Sequence, residues 1–232
     1  MLDQKGVQPQ VPWKVSDVVK ALVLAFVGFV AIILVAAPLI DNFEEGQRGP
    51  IIALVTLISE GSLLWVVWLV TIHKYGSSWQ DLGMRPTTVA RSIWMPLVAL
   101  LGSLLFMGLY ALIVRALDLE FLEPPGVPED LLGEGFSRML NTLVIAFWAP
   151  FAEEVFFRGF LLGALVWRVG PMRAALISSA IFAAAHVSIG TMIPIFVIGM
   201  LLSWLYLKTR SLWPPLTAHM AQNLIVIAVS TS

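Results

Sequence analysis

Three charged side chains lie inside one long apolar stretch of the sequence. Glu153, Glu154 and Arg158 are the only charged residues between positions 140 and 167. A charge at the middle of a bilayer costs about 2.5–3.5 kcal/mol, so such residues are rare and usually face the interior of a helix bundle. Glu154 and Arg158 are four residues apart with the acid first, which favours an ion pair on one helix face. Glu153 points roughly 100° away from Glu154, so the spacing predicts a structural pair and a separate carboxylate that is free for chemistry.

Two further pairs of polar or aromatic residues follow at the same spacing of four. Phe182 and His186 are separated by three alanines, and His219 and Asn223 lie in the last apolar segment. Taken alone, each pair is explained by packing or by hydrogen bonds between helices. Together with a spare carboxylate they favour hydrolysis. A carboxylate and a histidine can deprotonate water, and an imidazole and an amide can stabilise an oxyanion.

The three patterns resemble the EExxxR, FxxxH and HxxxN motifs of the CPBP family, the CAAX prenyl protease and bacteriocin-processing family. It is also called the ABI or type II CAAX protease family. The motifs are Glu153–Arg158, Phe182–His186 and His219–Asn223, in that order and without a departure at any motif position. The resemblance covers residues 139–230 and implies an intramembrane endopeptidase.

By this resemblance, Glu153 and His186 activate the attacking water, and His219 and Asn223 form the oxyanion hole. Glu154, Arg158 and Phe182 then support the site. The family was first described as metalloproteases, and a metal-free, glutamate-dependent mechanism is the competing account. The chain lacks an HExxH zinc signature, but Glu153, His186 and His219 could supply three ligands to a catalytic zinc. Asn223 suits an oxyanion hole better than a zinc site, which favours the metal-free account.

The composition indicates the kind of protein that must position these residues. Of 232 residues, 59% are hydrophobic and 12% are charged, against about 25% charged in soluble domains. The net charge of −1 gives no basic surface for nucleic acid. The absence of cysteine excludes disulfides, thiolate zinc sites and cysteine nucleophiles. We therefore predict a polytopic membrane protein.

Seven apolar segments approach or exceed the length that a bilayer requires, about 20 residues in a helix. The predicted spans are Ala21–Ile40, Ile51–Ile72, Ile93–Val114, Leu140–Trp167, Ala174–Val187, Thr191–Leu207 and Leu212–Val229. The fold class is therefore an all-α transmembrane bundle of seven helices, or eight if the fourth segment breaks near Pro150. These segments are continuously apolar, which argues against a barrel.

The loops predict orientation and domain organisation. A cytoplasmic amino terminus places ten loop Lys and Arg inside and three outside. We divide the chain into a cytoplasmic tail (1–17), three helices with an acidic loop (18–138) and a catalytic core (139–232). The polar start and the missing cleavage site predict that the first helix is an uncleaved anchor. Short loops indicate a prokaryotic cytoplasmic membrane.

Other features of the sequence leave two alternatives to a protease acting on peptides or proteins at the lipid bilayer. One is a non-catalytic scaffold or immunity factor, although such a protein has little use for Glu153 and His186 together. The other is a small transporter, which the concentration of polar residues in the carboxyl-terminal half disfavours. Glu60, alone in the second span, is interpreted as a packing or pairing residue. The acidic segment Glu120–Glu134 is interpreted as a solvated connector.

Overall fold

A computed structural model describes residues 11–126 and 132–230, and within them seven helices of 15 or more residues form one bundle. We number them α1 to α7; α2 continues through a π-helical turn, Leu69–His73, and a 3-10 turn, Glu120–Leu122, follows α3. The helices are α1 Val15–Asp41, α2 Glu45–Trp68, α3 Val89–Ala116, α4 Gly135–Val169, α5 Pro171–Ala185, α6 Ile189–Thr209 and α7 Trp213–Ser230. The described part contains no strand. The predicted all-α class is confirmed.

Five of these helices are long and apolar enough to cross a membrane, namely α1, α2 with its π-helical turn, α3, α4 and α6. Apolar runs in hydrocarbon become helices because only a helix satisfies all of its own backbone groups. At 1.5 Å per residue, the 15 residues of α5 span about 22 Å, less than a bilayer core of about 30 Å. The predicted fifth and seventh spans are helices, but they are not among these five.

Helix α4 is the central element of the bundle. Of its most apolar 18 residues 56% are buried, against 11% in α1. Its aromatic residues Phe156, Phe157 and Phe160 lie in the largest hydrophobic core, with Phe182 of α5 and Tyr206 of α6. The residues of α4 therefore contact several other helices, which is the position that a buried site requires.

The loop between α2 and α3 packs against α4 and against the turn before α7. Leu212 N–H donates to the carbonyl of Gly83 at 2.9 Å, and Ser211 Oγ donates to the carbonyl of Arg85 at 2.6 Å. A Cβ at Gly159 of α4 would come within 2.5 Å of the Leu82 carbonyl oxygen. Glycine at this position is thus required for the close approach of the loop to α4.

The structure refines several predicted boundaries. Helix α4 is continuous through Pro150, so an eighth helix does not arise from a break there. His186 caps the end of α5 instead of lying inside it, and Val187 after it has a φ of 55°. Part of the predicted connector, residues 127–131, lies outside the described residues. The predicted domain boundary at residue 138 stays a prediction. Helices on its two sides are in direct contact, since Trp148 Nε1 of α4 donates to the carbonyl of Leu57 of α2 at 3.1 Å.

Candidate active site

Two π-helical stretches in α4, Val144–Trp148 and Val155–Leu162, flank the segment that carries both glutamates. π-helical turns often occur at functional sites. Side chains from elsewhere donate to carbonyls of these stretches. Asn223 Nδ2 donates to Ile145 at 3.0 Å, Ser178 Oγ to Phe157 at 3.1 Å and Trp13 Nε1 to Phe160 at 3.1 Å. The irregular helix is therefore bound to its neighbours on both sides of Glu153 and Glu154.

Glu154 and Arg158 form the ion pair that their spacing predicts. Arg158 Nη1 donates to Glu154 Oε1 at 2.8 Å, and the two side chains are 0% and 1% exposed. Arg158 Nη2 donates to the carbonyl of Gly199 in α6 at 3.3 Å. Glu154 Oε2 and Arg158 Nε have no hydrogen-bond partner in the described structure. The pair is fully desolvated, so each charge depends on the other for compensation.

His219 joins this pair to Glu153. Its Nδ1 lies 2.9 Å from Glu154 Oε1, and its Nε2 lies 3.4 Å from Glu153 Oε2. Glu154 Oε1 accepts from Arg158, so it is an acceptor toward the imidazole as well, and the Nδ1–H of His219 donates to it. The ring is thus oriented by Glu154, and Nε2 is the atom that it presents to Glu153.

Glu153 is the carboxylate that the packing leaves accessible. All residues from Ala152 to Val166 are buried except Glu153, whose side chain is 15% exposed. The two adjacent glutamates therefore lie in different environments: the Glu154 carboxylate is buried and the Glu153 carboxylate is partly exposed.

Phe182 is the aromatic centre around which the site is built. Its ring, 1% exposed, lies 4.4 Å below the guanidinium carbon of Arg158. The rings of His186 and His219 meet it edge to face, with centroids at 4.8 and 5.8 Å. Phe182 therefore contacts both imidazoles and the guanidinium of Arg158, which explains a phenylalanine at a position where the sequence predicts site support.

His186 is exposed and lies just past the end of α5. Its Nδ1 is 2.9 Å from the carbonyl oxygen of Phe182. Since a carbonyl only accepts, Nδ1 carries the proton, and Nε2 of the neutral ring is left as a proton acceptor. Within the described residues, no hydrogen bond or ion pair joins His186 directly to Glu153.

Asn223 lies one turn after His219 and is half-buried. One of its amide protons is used in the bond to Ile145, so its remaining N–H and its carbonyl are available to other groups. The next residue toward the start of α7, Gln222, is turned away and accepts from Ser103 of α3 at 2.6 Å.

The three candidate zinc ligands are not gathered around one point. Nδ1 of His219 lies against Glu154, and the contacts of His186 in the described structure are with Phe182. In the described part of the chain, no group of three or more His, Cys, Asp or Glu side chains is arranged to hold a metal ion. We therefore derive no step of the reaction through a metal.

Sequence reasoning missed two features of the site. The first is the contact between Glu154 and His219, which are 65 positions apart. The second is Glu60 of α2, which is close enough to Glu153 to act on it electrostatically and whose Oε2 is buried without a hydrogen-bond partner in the described structure. The available signal is a lone glutamate in an apolar span, which the sequence interprets as a packing or pairing residue.

An apolar groove of about 590 Å³ lies along another face of α4. Phe151 of α4, two residues before Glu153, forms part of its wall. The other lining residues are Leu64, Trp65, Trp68, Trp79, Met84 and Trp213. Aromatic and aliphatic walls of this kind accommodate apolar ligand surface.

Comparisons with known proteins agree with this geometry. Residues 135–225, from the first residue of α4 into α7, match the family described as type II CAAX prenyl endopeptidase Rce1-like. A stretch of 88 residues is 32% identical to the protein named "Putative membrane peptidase YdiL" of Bacillus subtilis (strain 168), which is 38% of this chain and 36% of that protein. The chain thus aligns with only about a third of this relative. No solved structure matches.

Five long apolar helices and these similarities define an integral membrane protein. Residues 135–225 match the model of the type II CAAX endopeptidases, the group that the three motifs resemble. The resemblance that the three motifs indicated is confirmed.

Proposed function

We propose that this chain is an intramembrane endopeptidase in which Glu153 activates water to hydrolyse peptide bonds near the membrane. The observation that carries the proposal is the pairing of Glu153 with His219 Nε2 at 3.4 Å, with Glu153 alone accessible in a buried stretch of α4. An accessible carboxylate inside a bundle is a functional group by default, and the family match supplies the reaction class.

In this proposal, Glu153 and His186 act as the bases that remove a proton from water. The hydrogen bond from His186 Nδ1 to the Phe182 carbonyl supports this role, because it leaves Nε2 as an acceptor. No hydrogen bond or ion pair joins the two residues within the described part of the chain, so a water molecule or a shift of His186 joins them in the reacting state. General base catalysis of this kind contributes about 10²- to 10⁴-fold.

His219 and Asn223 are proposed to stabilise the oxyanion of the tetrahedral intermediate. With Nδ1–H donated to Glu154, His219 needs a second proton on Nε2 to donate to an oxyanion. The free amide N–H of Asn223, one turn away, is the second donor. Two fixed donors in a dry site are the usual form of an oxyanion hole.

The proposed substrate is a peptide or protein with an apolar segment at the membrane. The apolar groove that Phe151 lines supports this, since its aromatic walls can hold such a segment on the surface of the helix that carries Glu153. Substrates of the CAAX type or bacteriocin-like peptides are the candidates that the family suggests. Neither the prenyl group nor the peptide sequence is specified by the groove alone.

The test incubates purified protein in detergent with a peptide library that includes farnesylated CAAX peptides, and identifies products by mass spectrometry. Glu153→Gln is run beside the wild type, and Glu120→Gln serves as a matched control outside the site. We expect products from the wild type and the control that are absent with Glu153→Gln. Equal cleavage by Glu153→Gln would overturn the proposal, as would no product from any protein, since a scaffold predicts none.

Metal dependence is decided by the same assay. Incubation with a zinc chelator followed by dialysis is expected to leave the cleavage rate unchanged. A loss of activity that returns when zinc is added would replace the metal-free mechanism with the metalloprotease account.

A further inference from the structure

The charges of the bundle are divided between its two ends. We call one end of the bundle the cationic end. Helices α1, α3, α5 and α7 begin there, and α2, α4 and α6 end there. Among the described residues it carries nine cations and two acids, Asp17 and Asp81. The cations are Lys14, Lys20, Lys74, Arg85, Arg91, Arg168, Arg173, Lys208 and Arg210. Both acids are already engaged: Lys74 binds Asp17, and Asp81 accepts from Ser78 at 2.8 Å.

A cavity of about 740 Å³ opens at this end, between the start of α5, the end of α6 and the first turn of α3. Three of its lining residues are cationic: Arg91, Lys208 and Arg210. None of the described residues that line it is acidic. Its volume is within the range of about 300–1,000 Å³ that is typical of small-ligand sites.

The cavity is polar at its rim and apolar in its depth. Lys208 and Arg210 are at the last turn of α6, whereas Met200 lies eight residues earlier, about 12 Å deeper along the helix. Trp204 and Leu207 line the wall between these levels. Met172 and Trp204 are 66% and 37% exposed on the outer surface of apolar helices, so the cavity opens sideways toward lipid.

We infer that this cavity binds one anionic phospholipid, with its headgroup phosphate between Arg91 and Lys208 and an acyl chain along Met200 and Trp204. Arginine and lysine pair with phosphate oxygens, and basic pockets between transmembrane helices bind anionic headgroups. A free anion would use the rim alone and leave the apolar wall uncovered. The inference rests on charge and shape at the cationic end, and it is independent of the proposed peptidase activity.

The test measures lipid selectivity of the full chain in phosphatidylcholine vesicles, with spin-labelled phosphatidylglycerol or spin-labelled phosphatidylcholine as the probe. Electron paramagnetic resonance gives the immobilised fraction of each. We expect the wild type to immobilise phosphatidylglycerol in preference to phosphatidylcholine. Arg91→Gln and Lys208→Gln should each lower the association of phosphatidylglycerol about fivefold, the worth of one cation near a membrane surface, and leave phosphatidylcholine unchanged.

The control is Lys20→Gln, which removes an exposed cation from the same end but outside the cavity. It should retain the wild-type preference. An equal loss with Lys20→Gln would show a diffuse surface charge and overturn the site. So would equal immobilisation of the two lipids by the wild type. Displacement of the labelled lipid by excess inorganic phosphate would replace a lipid site with a simple anion site. Arg91 and Lys208 are exposed, so the variants are expected to fold, which circular dichroism checks.

Discussion

Glu153→Gln and Glu154→Gln are isosteric changes at neighbouring positions that should affect different properties. Glu154 Oε1 accepts from Arg158 at 2.8 Å and from His219 at 2.9 Å in a core where neither the acid nor the arginine is exposed. Glu153 Oε2 lies 3.4 Å from His219 Nε2, and the Glu153 side chain is partly exposed. We therefore expect Glu154→Gln to lower stability and Glu153→Gln to lower turnover without loss of stability.

The magnitudes follow from burial. Removing one partner of a buried ion pair leaves an uncompensated charge and costs about 3–5 kcal/mol. Native proteins are stable by only about 5–15 kcal/mol, so Glu154→Gln removes a large part of the total. The single long contact of Glu153 is worth about 1 kcal/mol or less. Its removal should instead reduce turnover about 10²- to 10⁴-fold, as expected when a general base is lost.

The assay is denaturant unfolding of each purified protein in detergent, followed by the fluorescence of its nine tryptophans, together with the cleavage rate under native conditions. Glu154→Gln should unfold at a clearly lower denaturant concentration, and Glu153→Gln close to the wild type. The reasoning is refuted if Glu154→Gln is as stable as the wild type, or if both variants are destabilised equally.

Four further predictions test other parts of the structure. His219→Ala and His186→Ala should each reduce cleavage at least about 100-fold while the protein still inserts, and near wild-type turnover would remove that residue from the mechanism. Glu60→Gln should leave the unfolding free energy unchanged or raise it by about 1 kcal/mol, because Oε2 is buried without a partner in the described structure. A loss of stability would show that the Glu60 carboxylate makes a stabilising contact. Gly159→Ala should lower the unfolding free energy by about 1–3 kcal/mol, because the added Cβ overlaps the Leu82 carbonyl. Gly163→Ala is the control in the same unfolding assay and should be tolerated, because its added Cβ would lie 3.7 Å from the nearest atom. The hydrogen bond to Asp17 raises the pKa of Lys74. The pairing of Lys74 with Asp17 should therefore stabilise the fold fully below the ordinary pKa of lysine and lose this effect as the pH rises through the raised pKa. Lys74→Gln should abolish this alkaline dependence in thermal unfolding.

The helices and the ion pair could be predicted from local sequence because their causes are local. Continuous apolar runs such as 21–40 exclude any structure but a helix in lipid. The spacing of Glu154 and Arg158 places both on one face whatever surrounds them. Helix ends were less predictable: α5 ends before His186, although the apolar run continues to Val187.

Contacts between helices could not be predicted in this way. Periodicity says which residues share a face of α4, but it does not say that α7 places His219 against Glu154 or that α2 places Glu60 near Glu153. The π-helical turns are equally hidden, because no residue type or spacing in Val144–Trp148 or Val155–Leu162 marks a π-helical turn. Their carbonyls bind Asn223, Ser178 and Trp13, which come from segments far away in the chain.

The residues predicted to support the site and those predicted to react are in direct contact. One oxygen, Glu154 Oε1, binds both the arginine that belongs to the packing and the histidine that faces Glu153. Any change in the ion pair therefore changes the orientation of His219 Nε2. The buried pair consequently has a role that an apolar replacement of similar volume could not fill. Two apolar side chains of similar volume could stabilise the fold as well as the ion pair does. They would leave His219 Nδ1 without an acceptor and Nε2 without a defined direction toward Glu153.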